Sequence, residues 1–254
     1  MKFSQKEILD VIKSSELFKS NDLARLFMLK KAENHVRDIL TIELERKCEV
    51  YRNKLDLEKE YVTSVHETKG KKHDIAILSG IKKRKYYHFI PNTIIELKYT
   101  KADWIIINKD APIDKEVVQD NIWKGNQRGK EENIGKEGGL KSDLLKLEKA
   151  QDSLETAIHL ILVLTNPHSI IDSKFAGIMD GLHSFNDCLE KHNNNHYSIY
   201  RDAVRTIRKQ LRRIQDRYLE SRKFKAKSVT ITVGEAFGSK LDLIFIVISE
   251  EHNT

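Results

Sequence analysis

The chain has 254 residues, 39% hydrophobic and 33% charged, which is the balance of a folded soluble chain and enough length for one sizeable α/β domain. A formal net charge of +7 and a pI near 9.1 favour a polyanionic partner over an acidic-surface role. Cys48 and Cys188 give neither a disulfide framework nor metal-ligand spacing and fit a reducing cytoplasm. The N-terminus has no apolar signal core and no apolar run approaches the roughly 20 residues of a membrane helix, so a membrane role is not expected.

In chain order, residues 7–18 carry apolar side chains at 8, 9, 12 and 17, the spacing of an amphipathic helix. Asn21 or Asp22 is placed to cap a second helix running to about Glu45, with Leu26, Leu29, Val36, Leu40 and Leu44 as its apolar stripe. Glu33 falls on that stripe, where an acid needs a partner; Arg37, one turn on, is one. Residues 48–60 are charged and read as a turn. Residues 60–67 alternate as a first strand, and 68–72, with Gly70, read as a second turn.

Residues 73–78 form a short apolar strand headed by Asp74. A basic loop over 79–92 follows, with Gly80, the run Lys82–Lys85 and Pro91. The strand 92–100, Asn-Thr-Ile-Ile-Glu-Leu-Lys-Tyr-Thr, is the centre of the reading. Period two puts Glu96 and Lys98 on one face, and Ile95 and Leu97 on the other. If the strand is central, two charges lie near the interior, where they are costly unless paired or coordinated. Hairpin pairing of the two strands brings Asp74 beside Glu96. Two carboxylates and a lysine together suit a hard divalent cation and an activated water.

Beyond the strand, Trp104–Ile107 reads as a short further strand, and the glycine-rich stretch 124–139, next to Trp123, as a mobile loop. Residues 142–156 return to helical spacing, and 157–165 form an apolar strand ended by Asn166-Pro167-His168. Residues 185–190 read as helix. His192 and His196 have the spacing of two zinc ligands on a helix, but the three asparagines between them read as a turn, so they are taken as loop residues. A long helix over 200–224 has Tyr200, Val204, Ile207, Leu211, Ile214 and Tyr218 as its apolar stripe and Arg201, Arg205, Arg208, Lys209, Arg212, Arg213 and Arg217 around it. Residues 228–237 and 241–249 alternate around Gly238 as a closing hairpin.

Asp74 followed by Glu96-Leu97-Lys98 on the next strand resembles the PD-(D/E)XK nuclease superfamily, with His73 where that family's proline usually stands. The helix 142–156 and the strand after it resemble the family in order and element type. The resemblance covers residues 33–165, within a single nuclease domain 1–254 whose remainder, 166–254, is a helical and hairpin extension. It implies a restriction-endonuclease-like α/β/α layered domain with a central mixed sheet. It also implies a metal-dependent endonuclease hydrolysing DNA, most like a type II restriction endonuclease. By that resemblance Asp74, Glu96 and the Leu97 carbonyl hold Mg2+, with Mn2+ able to substitute. Lys98 positions the attacking water, and Glu33, or Glu43 as the weaker choice, supports the metal. Lys71, Lys72, Lys141, Arg205, Arg208 and Arg212 are the candidate contacts to double-stranded DNA. Cutting both strands of a palindrome implies a homodimer; no nucleotide cofactor is expected. The alternatives are a repair, recombination or anti-phage nuclease without strict sequence choice, or an inactive DNA-binding scaffold of the same fold.

Overall fold

A computed structural model describes residues 3–29, 33–55, 60–64, 67–68, 71–72, 74–83, 86–102, 105, 144, 156–165, 167–179, 182–218 and 224–250. A capping box opens α1 (Gln5–Ser14): the Glu7 N–H donates to Ser4 Oγ at 3.3 Å and the Ser4 N–H to Glu7 Oε2 at 2.7 Å. A 3-10 turn at Glu16–Phe18 buries Phe18 and leaves Leu17 exposed. The single helix expected from residue 22 to 45 is two, α2 (Asn21–Leu29) and α3 (Glu33–Leu55). The cap of α2 is neither Asn21 nor Asp22 but Ser20, whose Oγ accepts the Leu23 N–H at 3.0 Å. Asn21 Oδ1 instead accepts the Glu235 N–H at 2.8 Å, tying the helix start to a strand. The turn expected over 48–60 is for the most part a continuation of α3 to Leu55.

The strands are β1 (Glu60–Ser64), β2 (Glu67–Thr68), β3 (Lys71–Lys72), β4 (Ile75–Lys83), β5 (Tyr86–Lys101), β6 (Thr156–Leu164), β7 (Phe224–Ala236) and β8 (Ser239–Glu250), with helices α4 (Leu182–Lys191) and α5 (His196–Tyr218) between β6 and β7. Six of them make one mixed sheet in the order β1-β4-β5-β6-β8-β7, parallel only at β5–β6; β2 and β3 pair by themselves. The basic loop expected over 79–92 is the two arms of a long β4–β5 hairpin. Pro91 sits in β5 where the register shifts at Ile77/Leu78, the kind of irregularity that tolerates a residue without an N–H. A parallel pair needs a crossover. Of that connection Ala102, Ile105 and Leu144 are described: all three are helical and buried, so Ile105 is not in the strand expected over 104–107. The loop expected over 124–139 and most of the helix expected over 142–156 lie outside the described residues.

Alternation along the strands sends two apolar sets to opposite faces. Ile75, Ile77, Ile95, Leu97, Leu160, Leu162, Phe245 and Val247 pack with Ile8, Ile12, Phe18, Phe27, Val36, Leu40 and Leu44 from α1 to α3. Ala76, Ile94, Ile161, Val163, Ile244, Ile246 and Ile248 pack with Ile199, Ala203, Val204, Ile207 and Leu211 of α5. The result is an α/β fold with helices on both faces of a mixed sheet. The hairpin β7–β8 is integral to it, because β8 pairs with β6 from Ile158↔Ser249 to Leu164↔Leu243. Phe237 and Gly238, at φ 53 and 77, form its two-residue turn with both residues in the left-handed region, which matches the twist of the strands. No helix among the described residues is long and apolar enough to cross a membrane.

Gly234 lies at a second register shift, where β7 passes under the start of α2. A Cβ there would meet Ser20 O at 2.7 Å and Asn21 N at 2.9 Å, both backbone atoms that cannot swing away. Gly234→Ala is therefore expected to destabilise the fold by about 1–3 kcal/mol in chemical denaturation, the usual range for overpacking; an unchanged midpoint would refute the close approach.

Candidate functional site

The pairing Ile75↔Ile95 sets Asp74, just ahead of β4, across from Glu96 on β5. Ala76↔Ile94 both belong to the cluster under α5, so Asp74, Glu96 and Lys98 share that face by alternation. The opposite alternation sends Ile95 and Leu97 under α1 to α3. Asp74, Glu96 and Lys98 are all half-buried. The Leu97 N–H donates to Asp74 Oδ2 at 2.7 Å, so the carboxylate takes the place of the next rung where the β4–β5 ladder ends. In an extended strand the N–H and C=O of one residue leave on the same side, so the Leu97 carbonyl points towards Asp74's edge of the strand. Lys98 makes no ion pair among the described residues, although two carboxylates stand on its face. On the neighbouring parallel strand His159, fully buried, is level with Glu96 on the same face. The sequence reading missed His159, whose period-two position in an apolar run was its only signal.

The two glutamates considered as additional ligands come from α3, which packs on the other face of the sheet. Glu43 is engaged there, accepting from Ser15 Oγ at 2.8 Å and pairing with Arg46 at 3.2 Å. The side chain of Glu33 lies outside the described residues. Arg37, read as its partner, pairs with Asp38 at 3.2 Å instead. The side chains of Lys71 and Lys72, and all of Lys141, also lie outside the described residues.

Arg201, Arg205, Arg208 and Arg212 follow one another at intervals of four, three and four along α5, and all are exposed. None of them makes an ion pair among the described residues. The buried stripe of the same helix is Ile199, Ala203, Val204, Ile207 and Leu211, so core and basic face occupy different sides. The turn expected over 192–196 is present, with Asn193 and Asn194 at φ 53 and 56, but His196 leaves it as the first residue of α5. His192 does not face His196; its Nδ1 lies 3.0 Å from Ser198 Oγ. His196 stacks instead on His168, ring centroids 3.7 Å apart, beside Asp242. Sequence spacing gave no hint of that grouping, whose members come from three separate elements.

Comparison with models of protein families, with curated proteins and with solved structures finds no match to this chain.

The Leu97–Asp74 bond separates charge from hydrogen-bonding capacity. Asp74→Ala should cost about 1–3 kcal/mol, as for a lost hydrogen bond to a charged group, whereas Asp74→Asn keeps an acceptor oxygen and should cost less. Equal losses for the two variants in denaturant titrations would assign the contribution to the charge and not to the acceptor oxygen, and no loss in Asp74→Ala would show that the bond contributes nothing to stability.

Proposed function

We propose that the chain is a metal-dependent nuclease of the restriction-endonuclease-like α/β/α fold that hydrolyses phosphodiester bonds of double-stranded DNA. The observation that carries this reading is the register of β4 and β5, which sets Asp74, Glu96 and Lys98 on one face at the end of a ladder. Two half-buried carboxylates and a backbone carbonyl are hard oxygen donors, and such a set fits Mg2+, or Mn2+ in its place, better than a softer ion. Asp74, Glu96 and the Leu97 carbonyl are the residues that would hold it. When bound it supplies charge neutralisation at the phosphate and a more acidic bound water.

The chain's own groups do the rest. Lys98, half-buried and without a protein counter-ion among the described residues, has its ammonium available for a phosphate oxygen and for the attacking water. The water, oriented by the lysine, attacks phosphorus in line and gives its proton to a second water; the P–O3′ bond breaks and the departing O3′ takes a proton from solvent, leaving a 5′-phosphate and a 3′-hydroxyl. Leu97 N–H fixes the rotamer of Asp74, so the carboxylate meets its ligand without further ordering. The arginine row on α5, free of protein partners among the described residues, gives the duplex a sequence-independent grip on its backbone. The site-specific, two-fold dimeric form is the version we favour, because the pattern resembles type II restriction enzymes.

The test is incubation of supercoiled plasmid with the full chain, with and without Mg2+. Cleavage should require the metal and fall by about 100-fold or more in Asp74→Asn and in Lys98→Ala, as expected for loss of a metal ligand or of the group that positions water. Both variants should keep their far-UV spectra. Cutting at the wild-type rate by either one would overturn the assignment. Discrete fragments support site choice, and a smear supports a nuclease without it. DNA binding with no cleavage in Mg2+ or Mn2+ would leave an inactive scaffold.

The arginine row is tested separately. Replacing Arg205, Arg208 and Arg212 together by alanine should weaken binding to any duplex and lower the slope of log K against log salt by up to roughly 2.7, at about 0.9 per phosphate contact. An unchanged slope in fluorescence anisotropy would remove α5 from the interface.

A further inference from the structure

We propose that His168, His196 and Asp242 form a binding site for a zinc-class divalent transition ion, one that fastens the first residue of α5 to the far end of the sheet. One ligand atom from each of the three lies within 4.8 Å of the others. His168 Nε2 is 2.9 Å from Asp242 Oδ2. Asp242 Oδ1 and His196 Nε2 are both buried, and neither has a hydrogen-bond partner among the described residues. Buried polar atoms of this kind are rare in folded proteins, and so is a carboxylate only 6% exposed that makes no Lys or Arg salt bridge among the described residues. One cation among the three side chains would satisfy both orphan atoms and the buried charge together.

The surroundings hold the donors in place. The Asp242 carbonyl accepts the Thr165 N–H at 3.1 Å and Thr165 Oγ1 at 2.9 Å. The His168 N–H donates to the Lys240 carbonyl at 3.1 Å. Tyr197 packs its ring 4.0 Å from that of His196. Ligand atoms on a tetrahedral zinc stand about 3.3 Å apart, given bonds of about 2.0–2.1 Å. The two rings are stacked, 3.7 Å and 18° apart, so binding requires one imidazole to turn out of the stack and bring its in-plane lone pair onto the shared ion. Two imidazoles and one carboxylate select the zinc and neighbouring transition ions over magnesium. The His168 side chain is 24% exposed, so the site opens to solvent on one side and has room for a fourth ligand.

This site is not the one at Asp74. Asp242 is level with Thr165, the residue just past β6, whereas Glu96 is level with His159. Six residues along a strand amount to about 20 Å.

The test uses the full chain, stripped with a chelator and then titrated with Zn2+ and with Co2+ as its coloured stand-in. One equivalent should bind with the visible d–d bands of four-coordinate cobalt, distinct from an ion held by the oxygen ligands of Asp74 and Glu96. His196→Gln and Asp242→Asn should each weaken binding by more than the roughly 10–100-fold that changes outside the ligand shell produce, while Asp74→Asn leaves it unchanged. X-ray absorption of the zinc-loaded wild type needs no variant and should show two imidazoles with oxygen. Absence of saturable Zn2+ and Co2+ binding would overturn the proposal. So would an oxygen-only shell, or binding that survives both substitutions at full strength.

Discussion

Alternation along β5 is the constraint on which everything at the candidate site depends. Ile95 and Leu97 are drawn to the face under α1 to α3 because that is where the larger apolar cluster lies. Glu96 and Lys98 have no choice but the other face. A slip of one residue in the β4–β5 register would reverse both assignments at once and bury the two charges under the N-terminal helices, which is why the register is strongly specified. Ile75, Ile77, Ile94 and Ile95, each almost fully buried, enforce it from both sides. Asp74 then closes the ladder by accepting the Leu97 N–H. The same carboxylate thus has a structural task and, in our reading, a chemical one.

The parts of the fold that could be read from the sequence were those in which a single period dominates. The nearly unbroken apolar runs 159–164 and 241–248 read as buried strands, and they lie in β6 and β8. The β7–β8 hairpin was legible from Gly238 between alternating arms. In α5 the apolar stripe and the basic row sit at helical spacing on different sides, so length, buried face and exposed charge could all be anticipated. Helices on both faces of a mixed sheet followed from the order of elements.

Where the reading went astray, competing local signals were close in strength. Nothing in residues 22–45 breaks helical periodicity, so the separation of α2 from α3 could not be seen; Ser20, outside the periodic run, proved to be the cap. The stretch 79–92 looked like a loop because Gly80, four basic residues and Pro91 all mark turns. Pairing with β4 overrode those propensities, as tertiary context commonly does in sheets. The charged residues 48–60 lack apolar spacing and therefore resemble a turn, yet 48–55 extend a helix already nucleated by Val36, Leu40 and Leu44. His168, His196 and Asp242 are an illegibility of another kind. Members of the trio lie up to 74 residues apart, and what unites them is the register of β6 with β8 and the point at which α5 begins.

That last point links the two ends of α5. Its first residue belongs to the histidine–aspartate group, and near its other end Gln215 donates to the Phe224 carbonyl at 2.6 Å, at the start of β7. Between these two anchors the stripe from Ile199 to Leu211 fixes rotation about the helix axis. Rotation matters because the arginines at 201, 205, 208 and 212 point as one row only while that stripe stays buried. An interface that grips a phosphate backbone gains from such rigidity, since charges held in register need less ordering when the polyanion arrives. An ion at His196 would stiffen the end of the helix farther from Glu96. Under the proposed function, such an ion would act through the orientation of α5 and not at Lys98.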